Sequence, residues 1–298
     1  MAFLMTVELL EAALRLAAPI GFAAIGELVV QRSGVINVGL EGIMLAGAFA
    51  GYAAGSSSGE IWVGVSGAIL IGSVLAACFA WVTIYKRGDQ IVTGMAFNLL
   101  LLGLTGVAMQ SLYSGDLQIA PQVEQFRWLG VAILEDQTVF SFLLLSVIAV
   151  VGAFLKFTRP GLLLRAVGES AVAAEVEGVD VLKVRTLAII FGGAMAGLGG
   201  AVLTLSDAHV FSENMTAGRG FIALAIVIFG GWRASGVLAA ALFFGAAHAL
   251  QFRLQAEGFS VSYPLWLMFP YVATILALTV SSKRNQGPSD LGRPYRRD

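Results

Sequence analysis

GELVVQRSGVINVGLEGIMLAGAFAGYAAG, residues 26–55, sets a carboxylate, Glu27, inside an apolar run and then breaks at Gln31, Arg32, Ser33 and Gly34. A second apolar run follows and carries Asn37 and Glu41. Along that run Gly47, Gly51 and Gly55 recur every fourth residue, beside a second row of Gly42, Ala46, Ala50 and Ala54. On a helix such rows let neighbouring backbones approach closely, the usual packing device inside a bilayer. An ionisable group at membrane depth costs about 2.5–3.5 kcal/mol, so Glu27 and Glu41 are kept for a pathway, a partner charge or a packing contact.

Working outward, the whole chain is of this kind. Its 298 residues are 58% hydrophobic and 12% charged, whereas soluble domains carry about 25% charged residues. Long apolar runs recur, which makes this an all-α polytopic membrane protein. Spans are expected at 9–30, 38–55, 61–85, 91–112, 138–158, 186–205, 220–231, 237–254 and 264–280. That is about nine transmembrane helices, within a range of eight to ten. The seventh run is shorter than the roughly 20 residues a spanning helix needs, and reads as a half-helix or re-entrant piece suited to a gate. Residues 1–282 form one transmembrane domain, interrupted by a charged segment at 159–185. The basic tail, 283–298, is expected to be disordered.

Charge places the ends. With Arg32, Lys86, Arg87, the basic residues of 156–185, Arg233 and the tail on the cytoplasmic side, only Arg15, Arg127, Arg219 and Arg253 lie elsewhere. Nine spans then put the N-terminus outside and the C-terminus inside. Trp62, Trp81, Tyr85, Trp128, Trp232, Tyr263 and Trp266 fall near span ends, where amphipathic rings settle. No basic region precedes the first apolar run, so that run is expected to stay as a membrane helix. The single cysteine, Cys78, excludes a disulfide framework within the chain.

The run GELVVQRSGVINVGLEGIMLAGAFAGY resembles the signature of membrane permease subunits of bacterial ABC importers. It is most similar to the nucleoside-type branch of the branched-chain amino acid/ribose permease superfamily. The resemblance implies an ABC importer permease fold in the bacterial inner membrane. It also implies alternating access driven by a separate cytoplasmic ATPase, which binds the ATP and Mg; no cofactor is expected in this chain. A second homologous permease, giving a heterodimer, and an extracytoplasmic solute-binding protein are the other partners implied. No nucleic acid is expected.

The segment RPGLLLRAVGESAVAAEVEGVDVLKVR is too polar to cross a bilayer. Ser170 reads as an N-cap, 171–177 as a short helix and Gly178 as its stop, with Val172, Ala173 and Val176 on one apolar face. LRAVGESAVAAEVEGV resembles the coupling helix of ABC permeases, which touches the ATPase. The matching positions are Arg165, Gly168, Glu169, Ser170, Ala173, Ala174 and Gly178. A plain surface connector is the alternative. Downstream, FGGAMAGLGGAVLTL repeats the small-residue rows of 42–55 and reads as their counterpart in the other half of the chain.

Three polar residues are candidates for the substrate pathway: Asn37, Glu41 and Asn98. Glu27 and Arg32 are candidates for a structural brace of the first two helices. Glu41 fits a pathway lining, a brace or a buried carboxyl; Asn98 fits a sugar or base contact or an interhelical hydrogen bond. His209 and His248 are isolated, and no metal site or catalytic set is expected. The chain has no Walker A sequence, so it does not bind ATP through a P-loop. The resemblance implies import of a small neutral solute, nucleosides first, with a sugar or branched-chain amino acid permease as the alternative. An ion-driven secondary transporter is the rival class, and the scarcity of intramembrane charge weighs against a proton relay.

Overall fold

The computed structural model describes residues 2–113, 119–121, 125–126, 137–256, 268, 272 and 287–295. The break in the opening stretch separates α1 (Ala2–Arg32) from α2 (Leu40–Ser58). Gly34 turns the chain with a φ of +89°, a value that a Cβ would make costly. Then come α3 (Ile61–Ala80), prolonged by a π-helical turn at Trp81–Tyr85, and α4 (Gln90–Leu112). Asp89 starts α4 by accepting hydrogen bonds from the backbone N–H of Ile91 and Val92. A two-residue antiparallel ladder pairs Gln125–Phe126 with Gln137–Thr138.

The second half opens with α5 (Val139–Phe157). The charged segment holds two helices, α6 (Arg159–Glu169) and α7 (Ala171–Val176). Ser170 caps α7 through Ala173 N–H, and Gly178 ends the turn at a φ of +84°. The helix of 159–169 was not expected; Thr158 caps it and Pro160 sits in its first turn. After it come α8 (Val181–Val202), with a π-helical turn at Leu203–Ala208, α9 (Arg219–Phe229) and α10 (Ala234–Ala256).

Among the described residues six helices are long and apolar enough to cross a membrane: α1, α3, α4, α5, α8 and α10. Helix α2 is more polar but buried among the others over most of its length. The seventh run is α9, with 11 residues. It is about 16 Å long, half a bilayer core. The ninth run, 264–280, lies outside the described residues apart from Met268 and Val272, both helical.

Helix α8 is the hub, and its glycines explain why. A Cβ at Gly192 would meet Val30, and one at Gly199 the Pro19 carbonyl, both on α1. One at Gly193 or Gly197 would run into the α3 backbone, and one at Gly200 into the Met44 carbonyl of α2. Thus α8 touches α1, α2 and α3 at backbone distance on three sides. The row Gly47, Gly51 and Gly55 faces α8, while Ala50 and Ala54 face Gly67 of α3. Helix α4 stands at the other extreme. Only 17% of its apolar window is buried, against 89% for α1, so α4 turns most of its surface to lipid or to another subunit.

The tail corrects an expectation. Residues 287–295 are not free but folded against the ends of α6, α7 and α8, because backbone and side-chain partners there hold them at several points.

Candidate functional site

The chain between α1 and α2 turns back into the protein. Asn37 N–H donates to Glu27 Oε1 at 3.1 Å, which brings Asn37 level with Glu27, ~8 Å inside the end of α1. Non-helical backbone at that depth needs partners inside the protein, since lipid supplies none. Each partner can be named. Ile36 N–H donates to Gln90 Oε1 at 2.9 Å. Gly42 N–H donates to Asn98 Oδ1 at 2.8 Å, and Asn98 Nδ2 donates to the Val38 carbonyl at 2.9 Å. Gln31 Nε2 donates to Glu27 Oε1 at 3.0 Å, while its Oε1 accepts from Trp232 Nε1.

These contacts place the residues singled out by the sequence. Asn98 spends its acceptor and a donor on the backbone of the break, as an interhelical bond rather than as a free amide. Glu27 holds the break, and Arg32 holds a different corner, donating from Nε and Nη2 to the Trp232 carbonyl between α9 and α10. Trp232 is therefore not an interfacial ring: it is buried, at a positive φ of 53°. Asn37 is fully buried, and among the described residues neither polar atom of its side chain has a partner, nor has Glu27 Oε2.

Glu41 lies in the first turn of α2 and reaches α9. Its Oε1 accepts from Gly218 N–H at 2.7 Å and its Oε2 from Gly220 N–H at 2.6 Å. The carboxylate thus sits on the first amides of a half-helix, where the helix dipole favours an anion. Gly220 allows the approach, since a Cβ there would fall 2.5 Å from Glu41 Cα. The brace is between α2 and α9, away from Arg32.

A second node lies at the end of the bundle that carries α6 and α7. Gly168 packs on the break so closely that a Cβ would strike the Arg32 carbonyl. Asp290 of the tail accepts from Ala171 N–H at 2.8 Å, and its own N–H donates to the Gly168 carbonyl at 3.0 Å. Glu169 accepts from Ser289 Oγ at 3.1 Å. Gly292 N–H donates to the Gly34 carbonyl at 3.0 Å. Arg185 of α8 is 1% exposed and donates to the carbonyls of Ser33 and Arg293. The tail therefore straps α6 and α7 to the break and to α8. Ala174 packs inward with Ala171, Val167 and Val181. Ala173 faces out beside Val172 and Val176, which are 63% and 82% exposed. Arg165 is half-buried and points into a cavity beside Arg32.

Arg185 and Asp290 were missed as site residues. Their only sequence signal was charge, which reads as a solvated segment. A cavity at the opposite end of the bundle was missed too. It measures about 570 Å³ and is lined by Arg15, Ser206, Asp207, His209 and Arg219. Ser206 Oγ, Asp207 Oδ1 and His209 Nδ1 are buried there without a hydrogen-bond partner among the described residues. Asp207 at the end of an apolar span is the one residue in the sequence that could have pointed to it.

The family model for the branched-chain amino acid transport system permease component matches residues 9–278, nearly the whole bundle. The chain belongs to this family. It is 35% identical to NupQ, a guanosine ABC transporter permease protein of Bacillus subtilis, over 96% of each chain. A Haloferax volcanii protein, provisionally named a glucose ABC transporter permease, is 34% identical over 97% of this chain and 98% of its own. NupC, a nucleoside ABC transporter permease protein of Lactococcus lactis, is 32% identical over 93% of each. The chain is thus an ABC transporter permease, multi-pass and membrane-embedded, with nucleoside permeases among its relatives.

Proposed function

We propose that this permease imports neutral nucleosides by alternating access, powered by a separate ATPase docked on α7. The observation that carries the coupling half of this reading is the strapped node. Helix α7 offers Val172 and Val176 to a partner; Asp290 holds α7 to α6, and Gly292 of the same tail holds the break beside the end of α1. A displacement of α7 then pulls on the end of α1 and, through Arg185, on α8 together. An exposed apolar pair on a short helix suits a groove in a partner protein. In this orientation α7, the tail and the C-terminus face the cytoplasm, and the N-terminus faces outside, in the cytoplasmic membrane.

The substrate half rests on charge and on the relatives. Half-helix N-termini at membrane depth commonly receive anionic substrate groups. Here Glu41 already occupies the N-terminus of α9, so that end is closed to a substrate anion. Among the buried polar atoms without a partner in the described residues are the Asn37 amide and Glu27 Oε2 in the interior, and Ser206, Asp207 and His209 in the opposite cavity. Amides, hydroxyls and carboxylates match sugar hydroxyls and base edges. A solute-binding protein would deliver the solute to that cavity, and a second, different permease would complete the pathway. The Haloferax relative favours a sugar as the second reading.

The test is ATP hydrolysis by this chain reconstituted with its neighbouring permease, ATPase and binding protein. Stimulation by purine or pyrimidine nucleosides, but not by glucose, ribose or leucine, is the expected result. Stimulation by a sugar alone would keep the transporter and replace the substrate. No assembly with any ATPase would return the ion-driven transporter to the front.

A further inference from the structure

Beside the node, a cavity of about 650 Å³ opens between the ends of α1, α5 and α6 and the corner joining α9 to α10. Four cations line it: Arg32, Lys156, Arg165 and Arg233. None of them forms an ion pair among the described residues, and no acid lines the cavity. Glu169 acts on Arg32 from outside the cavity, where its carboxylate is held by Ser289. Arg32 uses Nε and Nη2 on the Trp232 carbonyl. Arg165 Nε is buried without an acceptor among the described residues. Like charges gathered in one cavity repel, so the arrangement lacks an anion.

The walls say which anion. One side is the last turns of α5, where Ala149, Gly152 and Ala153 line the cavity. Helix α5 is apolar enough to span a membrane, and a third of its span is buried. The small apolar wall therefore runs from the cations toward the bilayer interior. A free phosphate has no use for that wall, whereas an acyl chain does. Basic pockets between transmembrane helices bind anionic lipid headgroups in this way.

We propose that this cavity binds the phosphate headgroup of an anionic phospholipid, with an acyl chain along α5. The site is independent of the transported solute. It joins the break, α6 and the α9–α10 corner, so a bound lipid stiffens the region between membrane and coupling segment.

The experiment uses the full chain in its assembled transporter, placed in nanodiscs of phosphatidylcholine with or without phosphatidylglycerol. Retained lipid is read by native mass spectrometry. Phosphatidylglycerol is expected to be retained over phosphatidylcholine. Lys156→Gln with Arg233→Gln should weaken that preference by roughly twenty-five-fold, about fivefold per charge near a membrane surface. Both side chains are exposed, so the fold should survive, and Lys156→Arg with Arg233→Lys should restore retention. Equal retention of both lipids would overturn the proposal. So would loss of the preference on adding millimolar inorganic phosphate, which would assign the cavity to a free anion. A preference seen only after the ATPase is stripped away would assign it to an acidic group of that partner, and would equally overturn it.

Discussion

The glycine hub around α8 and the break between α1 and α2 solve opposite problems. In the hub, regular helices satisfy their own backbone, and what is needed is proximity; glycines supply it and polar side chains are scarce. In the break the helix is interrupted, and what is needed is hydrogen-bond partners. Glu27, Gln90, Asn98, Arg185 and Gly292 of the tail supply them to Asn37, Ile36, Gly42, Ser33 and Gly34. Polar residues inside a membrane protein invite a transport role, yet most here serve the backbone. The contrast also separates a rigid part from a movable one. Backbone-to-backbone packing tolerates no displacement, whereas a set of individual hydrogen bonds, each worth about 0.5–1.5 kcal/mol net, can be exchanged.

That difference can be broken from either side. The largest effect is expected in the hub. Gly193→Leu must push a side chain through the α3 backbone at Gly72 and the Ala76 methyl. It should cost about 3 kcal/mol or more, and the purified subunit should be aggregated or absent by size-exclusion chromatography. Next comes Glu41→Ala, which strips the anion from α9 while leaving α2 intact. The loss should be about 2–3 kcal/mol for charged hydrogen bonds, seen as faster amide exchange at Gly218 and Gly220 with little change in α3.

Asp290→Ala sits lower. It removes one acceptor at Ala171 and should cost about 1 kcal/mol locally. Amide exchange should rise at 168–173 while the thermal midpoint of the hub stays put. The smallest effect on the fold belongs to Val176→Asp, an exposed position where substitutions usually fall within about 0.5 kcal/mol. It should leave the subunit intact yet weaken copurification of the ATPase by about tenfold. Unaltered copurification would separate α7 from the ATPase surface.

Much of this was legible in the residues. Apolar run lengths placed α3, α4, α5 and α10 within a few residues, because lipid-facing helices must be continuously apolar. Ser170 and Gly178 bounded α7, because capping is local chemistry. The short run at 220–231 announced α9 as a half-helix by length alone. Partners distant in sequence were not legible. Nothing near Asn98 says that its amide faces Gly42, and nothing near Glu41 says that it caps α9. The partners of 287–295 were not legible either: SSKRNQGPSDLGRPYRRD has the composition of a disordered segment, yet Asp290 meets backbone groups of α6 and α7 and Gly292 meets Gly34 of the break.

The central claim is that the strap at 287–295 makes α7 and the α1–α2 break move as one. The most direct measurement is nucleoside uptake per ATP hydrolysed, in proteoliposomes of the whole transporter carrying Asp290→Ala. The account predicts that the complex assembles and hydrolyses ATP while uptake per ATP falls several-fold. An unchanged ratio, in a complex whose amide exchange shows the strap released, would contradict it.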